Sequence, residues 1–167
     1  MDYSVEKALL AMIHHDAGDP ERIHHFLKVH NFARLIGLGE NLDERTQYLV
    51  ETIAAVHDIG IHQAEKVYGS SAGKYQEELG PAEADEMLTA LGLPRDIIDR
   101  VMYLVAHHHT YTDIDGIDYQ ILVEADFLVN LYENALPVSA QKHAYETIFK
   151  TETGKHLCRE LFPGVVL

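Results

Sequence analysis

Cysteine is nearly missing from this chain. The one it has, Cys158, cannot close an internal disulfide, and a reducing compartment, the cytoplasm, is the expected setting. No apolar run approaches the roughly 20 residues that a bilayer-crossing helix requires, so no membrane association is expected. The opening stretch MDYSVEKALLAMIHHD mixes acids with its apolar residues and lacks a basic n-region, which argues against a signal peptide. Positive charge is scarce: 13 Lys and Arg stand against 27 Asp and Glu, a formal net charge of −14. Such a surface repels a nucleic-acid polymer unless a local basic patch overrides it, and no cluster of Lys and Arg is visible. Alternating strand patterns, internal repeats, linkers and low-complexity tracts are also lacking. Histidine, in contrast, is abundant, and its twelve copies ask for a metal.

The 167 residues suffice for one domain with a proper core, and helix follows helix along them. In GDPERIHHFLKVHNFARLIGLG, Asp19 is placed to cap and Pro20 to occupy the first helical position. Apolar residues from Ile23 to Ile36 fall mostly at helical spacing, and Gly37 and Gly39 are expected to stop the helix. LDERTQYLVETIAAVHDIG repeats the arrangement, with Asp43 as cap and Gly60 as terminator. Pro81 and Pro94 are read as openers of two further helices. DYQILVEADFLVNLYENA and SAQKHAYETIFKTETGKHLCRELF supply the rest. Residues 61–80 read as one long irregular connection, a length that usually carries function. The expectation is a single all-α domain over 1–167, with C-terminal helices at 138–162 packed on a motif-bearing core at about 20–133. The apolar tail FPGVVL suits a homodimer contact or a fold-back onto the domain.

A divalent ion of the Mn, Fe, Co, Ni or Zn kind takes imidazole nitrogens and carboxylate oxygens converging from several directions. Neighbouring residues of a helix point about 100° apart, so adjacent His57 and Asp58 share an ion only where the helix loosens, ahead of Gly60. Partners are available elsewhere: His25 in RIHHFLKV, the HHH run at 107–109, and Asp126 in the otherwise apolar LVEADFLV, where an unpaired carboxylate is costly. Taken singly, each has an ordinary structural use, and His14, His15, His30, His143 and His156 read as surface or boundary residues. The joint occurrence of ligand types in separate apolar-flanked helices points to metal binding.

Assembled in this order, His25, then His57-Asp58, then Asp126, the chain resembles the HD-domain superfamily of metal-dependent phosphohydrolases. RIHHFLKVHNFARLIG is similar to the first family motif, AAVHDIG to the second and ILVEADFLVNLYE to the last. The likeness spans about residues 20–133 and is nearest to small stand-alone bacterial members carrying HDIGI, GSSAGKYQE, GP and HHHT. It implies an all-α helical bundle and a metal held by His25, His57, Asp58 and Asp126. Members that cleave cyclic dinucleotides often follow the pair with IGK. Ile61 stands at that lysine here and the companion GYP is missing, which disfavours that role. Dinuclear members add histidines between the pair and the last aspartate. His107, His108 and His62 are the candidates here for a second metal or a phosphate contact, while HHHT also suits a solvated helix end.

The implied activity is hydrolysis of a small phosphate ester, a nucleotide or another phosphorylated metabolite, by attack of metal-activated water. Asp58 would serve proton transfer as well as ligation. Arg22, one turn before His25, would clamp phosphate, unless it only pairs with Asp19 or Glu21. Lys74 and Lys66 are candidate second cations, and Glu77 a candidate base or supporting acid. Tyr68, Tyr75 and Tyr111 are candidates for stacking on a base. Two readings compete: an HD-fold di-iron oxygenase, and a metal-binding regulatory module.

Overall fold

The structure is a computed structural model and describes residues 3–167; Met1 and Asp2 of the expected 1–167 domain lie outside them. Nine α-helices follow one another among the described residues: α1 (Glu6–His15), α2 (Pro20–Gly39), α3 (Glu44–Val56), α4 (Ile61–Tyr68), α5 (Gly73–Ala90), α6 (Arg95–Val105), α7 (Ile117–Glu133), α8 (Val138–Thr147) and α9 (Glu152–Leu161). A 3-10 turn, Pro163–Val166, closes the chain. No strand occurs among the described residues, and none of their helices is long and apolar enough to cross a membrane.

Local chemistry explains where the central helices begin. Asp19 accepts a hydrogen bond from the Arg22 amide, with Pro20 at the first helical position. Asp43 does the same for Thr46. Each cap satisfies an amide that the first turn leaves without a helical partner. Helix α7 is buried on nearly all sides: Ile121, Leu122, Val123, Ala125, Leu128, Val129 and Leu131 are all buried, and so are the acids Asp118, Glu124 and Asp126. A helix with so little exposed surface belongs in the middle of the bundle. It lies against α2 and α3, which also pack on each other. Because α2, α3 and α7 meet at the core, His25, the His57-Asp58 pair and Asp126 converge.

Three expectations about boundaries are corrected. Residues 61–80 are not an irregular connection: α4 and the first eight residues of α5 fill most of it, leaving only a short link after Tyr68. Pro81 does not open a helix but lies inside α5, where its missing N–H removes one rung of the ladder. Gly37 continues α2 rather than stopping it and leaves room for the Gln47 side chain, while the helix does end at Gly39. Gly60 is the N-cap of α4. A Cβ there would lie 2.9 Å from the Gly80 backbone and 3.0 Å from the Gln76 carbonyl, so glycine is what lets the 57–60 turn press on α5. The C-terminal tail folds back, with Phe162 and Val165 buried and the 3-10 turn seated on α8 and α9.

Candidate metal centre

The turn after α3 brings His57 and Asp58 to one place. His57 still has helical dihedrals, φ −55° and ψ −35°, but the chain turns at 57–60 before α4 begins. Asp58 Oδ2 therefore lies 3.3 Å from His57 Nε2 and 3.2 Å from His25 Nε2. Asp126 Oδ1 lies 3.2 Å from His25 Nε2 and 3.6 Å from His57 Nε2. Asp58 Oδ1 faces the other way, 3.3 Å from His108 Nε2. Two groups of potential ligands result, His25-His57-Asp58 and Asp58-His108-His109, with Asp58 common to both.

Tautomers follow from the partners. His57 Nδ1 lies 2.8 Å from the Ala54 carbonyl and His108 Nδ1 lies 2.8 Å from the Val105 carbonyl. A carbonyl only accepts, so Nδ1 carries the proton in both rings. His25 Nδ1 faces a carboxylate instead, 3.0 Å from Glu133 Oε1. Each Nε2 is thereby aimed inward at carboxylate oxygens. For neutral rings, lone pairs would face lone pairs. His57 Nε2 is buried with no hydrogen-bond partner. Such an acceptor-only set of imidazoles and carboxylates, with an orphaned nitrogen at its centre, fits a divalent transition metal.

Without an ion, protons fill the same role. Burial opposes charge on His25, but the carboxylates of Asp126 and Asp58 overcome it and push its pKa up to about 10. Burial likewise opposes charge on His57, and Asp58 and Asp126 raise it well above its ordinary value. Burial alone would raise the Asp58 and Asp126 carboxyls. The imidazoles of His57, His108 and His25 hold Asp58 well below the usual range, and those of His25 and His57 do so for Asp126. His109 behaves in the opposite way: burial and then the nearby His108 lower it to about 4.

Supporting contacts come from residues that the sequence did not single out. Asn130, one turn after Asp126, donates to Asp126 Oδ1 at 3.0 Å. Gln76 accepts from His109 Nε2 at 3.1 Å and donates to the Ser71 carbonyl at 2.7 Å. The Tyr119 hydroxyl faces the carbonyls of His107 and Thr110, pinning the HHH turn. A polar residue one turn from a candidate ligand was the available signal for Asn130; Gln76 and Glu133 offered none.

The remaining candidates are placed as follows. Arg22 lines the cavity over the centre, together with His25, Asp58, His109 and Asp126. It bonds Glu65 Oε1 at 2.8 Å and Asp19 Oδ2 at 3.4 Å. His107 is not brought to the centre: its Nδ1 donates to the Tyr103 carbonyl and its ring stacks on Tyr103 at 4.2 Å. Consecutive residues at a helix end diverge, so His107 turns out where His108 turns in. His62 lies in α4 and joins another group. Its Nε2 is 2.8 Å from Asp19 Oδ2, and its ring is stacked 6.1 Å from that of His15. Lys74 sits over the Tyr75 ring at 4.8 Å, and Glu77 accepts from Thr110. Neither lines the cavity.

The fold has counterparts among solved structures. The crystal structure of a predicted HD superfamily hydrolase from an uncultured Thermotogales bacterium superposes with a TM-score of 0.67. It is 23% identical over 96% of this chain and 86% of that one. Bacillus subtilis YpgQ superposes with a TM-score of 0.65, at 19% identity over 99% of this chain and 92% of its own. No family model matches the chain, and no curated protein matches it by sequence. The fold is an all-α HD-domain bundle.

Proposed function

We propose that the protein is a metal-dependent phosphohydrolase that acts on a small phosphate ester. The observation that carries this reading is the orphaned, buried Nε2 of His57, set among His25, Asp58 and Asp126 in a fold that also builds the predicted HD superfamily hydrolase. His25, His57, Asp58 and Asp126 would hold the ion, and His108 and His109 would complete a second position around Asp58. A divalent cation there supplies Lewis acidity toward a phosphoryl oxygen and acidifies a bound water. The chain's own residues provide the rest. Arg22 stands at the cavity wall with its guanidinium shared between two carboxylates, and the same planar fork would pair bidentately with a phosphate. Asp58 would take a proton from the attacking water. Gln76 and Asn130 hold His109 and Asp126 in orientation. The substrate reaches this cavity as a free small molecule, and the single unpaired Cys158 accords with a cytoplasmic setting.

A second reading, an HD-fold di-iron oxygenase, draws on Asp58 being common to two ligand groups. Elemental analysis of the purified protein, followed by p-nitrophenyl phosphate turnover with added Mn²⁺, separates the two. Turnover that disappears in Asp58→Ala supports the hydrolase. Two irons per chain, a visible absorption band in air and no ester turnover would replace it with the oxygenase.

A further inference from the structure

We infer that the substrate is the monophosphate ester of a sugar or another polyhydroxylated carbon chain, not a nucleotide; this rests on the phosphohydrolase reading above. The cavity over the metal centre measures about 330 Å³, within the range of small-ligand sites. Its lining decides what fits. Ile61 is its one aliphatic side chain, and its only rings are the imidazoles of His25 and His109, both members of the candidate ligand groups. A nucleobase needs a free apolar or aromatic face to replace the water it loses. None of the tyrosines read as candidates for stacking on a base lines the cavity. Tyr68 and Tyr75 stack on each other at 4.1 Å, and Tyr111 meets Phe127 edge-on at 5.0 Å.

Charge narrows the choice further. Arg22 is the only lysine or arginine lining the cavity, against the carboxylates of Glu21, Asp58, Asp126 and Glu133. One guanidinium and the ion's own charge suit a single phosphate, whereas a triphosphate chain would lie against acids. The neighbouring cation Lys28 is outside this lining and already paired with Glu133 at 3.1 Å. Apart from Arg22 and Ile61, the wall away from the metal ligands is made of the polar side chains Glu21, Ser71, Gln76, Asn130, Glu133 and Asn134. Carboxylates, a hydroxyl and an amide are the partners that sugar hydroxyls take, because each hydroxyl both donates and accepts. In the reaction, water adds to phosphorus and the P–O ester bond breaks. The polyol oxygen leaves with a proton, giving inorganic phosphate and the free polyol.

Ribose 5-phosphate and AMP make the sharpest comparison, since they share the phosphate and the pentose and differ in the base. With Mn²⁺-loaded protein, kcat/KM for ribose 5-phosphate should exceed that for AMP by about tenfold or more, the scale on which pocket shape discriminates, and ATP should be poorer still. Asn134→Ala should raise KM for ribose 5-phosphate about fivefold, the worth of one hydrogen bond, and raise KM for p-nitrophenyl phosphate less. AMP or ATP preferred over ribose 5-phosphate, or equal KM changes for both esters, overturns this inference and leaves the phosphohydrolase intact. Turnover of none of these esters, p-nitrophenyl phosphate included, overturns both.

Discussion

Glu133, the last residue of α7, holds His25 from behind: its Oε1 lies 3.0 Å from His25 Nδ1. The other two inward-facing imidazoles, His57 and His108, are held by backbone carbonyls, so His25 alone is steadied by a negative charge. That contact fixes the tautomer and makes Nε2 more basic. Glu133→Gln keeps an acceptor but removes the charge, and should weaken Mn²⁺ binding about tenfold, the low end of such outer contacts. Isothermal titration calorimetry measures this, with circular dichroism expected to show unchanged helicity.

Stripped of metal, the protein should lose stability as pH rises. His25 has its pKa lifted from 6.5 to about 10 in the fold. The contribution of its protonated form is complete below pH 6.5 and fades as pH climbs through about 10. Thermal unfolding of EDTA-treated protein should show Tm falling across that window, and His25→Gln should flatten the fall. Metal displaces the same protons, so binding should release protons and tighten with pH. Titrations in buffers of different ionisation enthalpy count them.

Gly60→Ala tests the contact between the 57–60 turn and α5. The new methyl would sit 2.9 Å from Gly80 backbone atoms, which have no flexible end to swing aside. Overpacking of this kind costs about 1–3 kcal/mol, and the turn carrying His57 and Asp58 would shift. Urea unfolding should report the lower stability, and metal titration a parallel loss of affinity.

Glu124 should matter for stability and not for metal. It is fully buried, accepts from the Thr151 hydroxyl at 2.7 Å and from Gln120 at 2.6 Å, and receives the Lys150 and Thr151 amides. Glu124→Ala leaves these donors without a buried acceptor and should cost about 3 kcal/mol. Metal content at saturating Mn²⁺ should be unchanged.

Much of this was legible in the sequence where a single physical signal dominated. Asp19 with Pro20, and Asp43, mark the starts of α2 and α3 because capping is local chemistry. The order His25, His57-Asp58, Asp126 points to the candidate centre because ligand types recur together in separate apolar-flanked helices, although each alone has ordinary structural uses. Residues 61–80 were opaque: Gly69, Ser70 and Ser71 read as loop, and Pro81, usually a starting signal, here sits inside a helix held by its packing on α6 and α4. Two acids two residues apart in α7, Glu124 and Asp126, look alike in sequence. They part because residues at that spacing point to different sides, one toward Thr151 and the other toward His25. Glu133 was hidden because an acid at a helix end reads as solvated.

Asp58 divides its two oxygens between neighbouring ligand sets, and this ties their occupancies together. Loading one set would withdraw electron density from the carboxylate that the other depends on, so two bound ions would change each other's affinity by an equal, reciprocal factor. Where both sets load, metal uptake should follow two linked steps, with Asp58→Asn uncoupling them as it weakens both; a single step in a calorimetric titration would mean that one set alone binds.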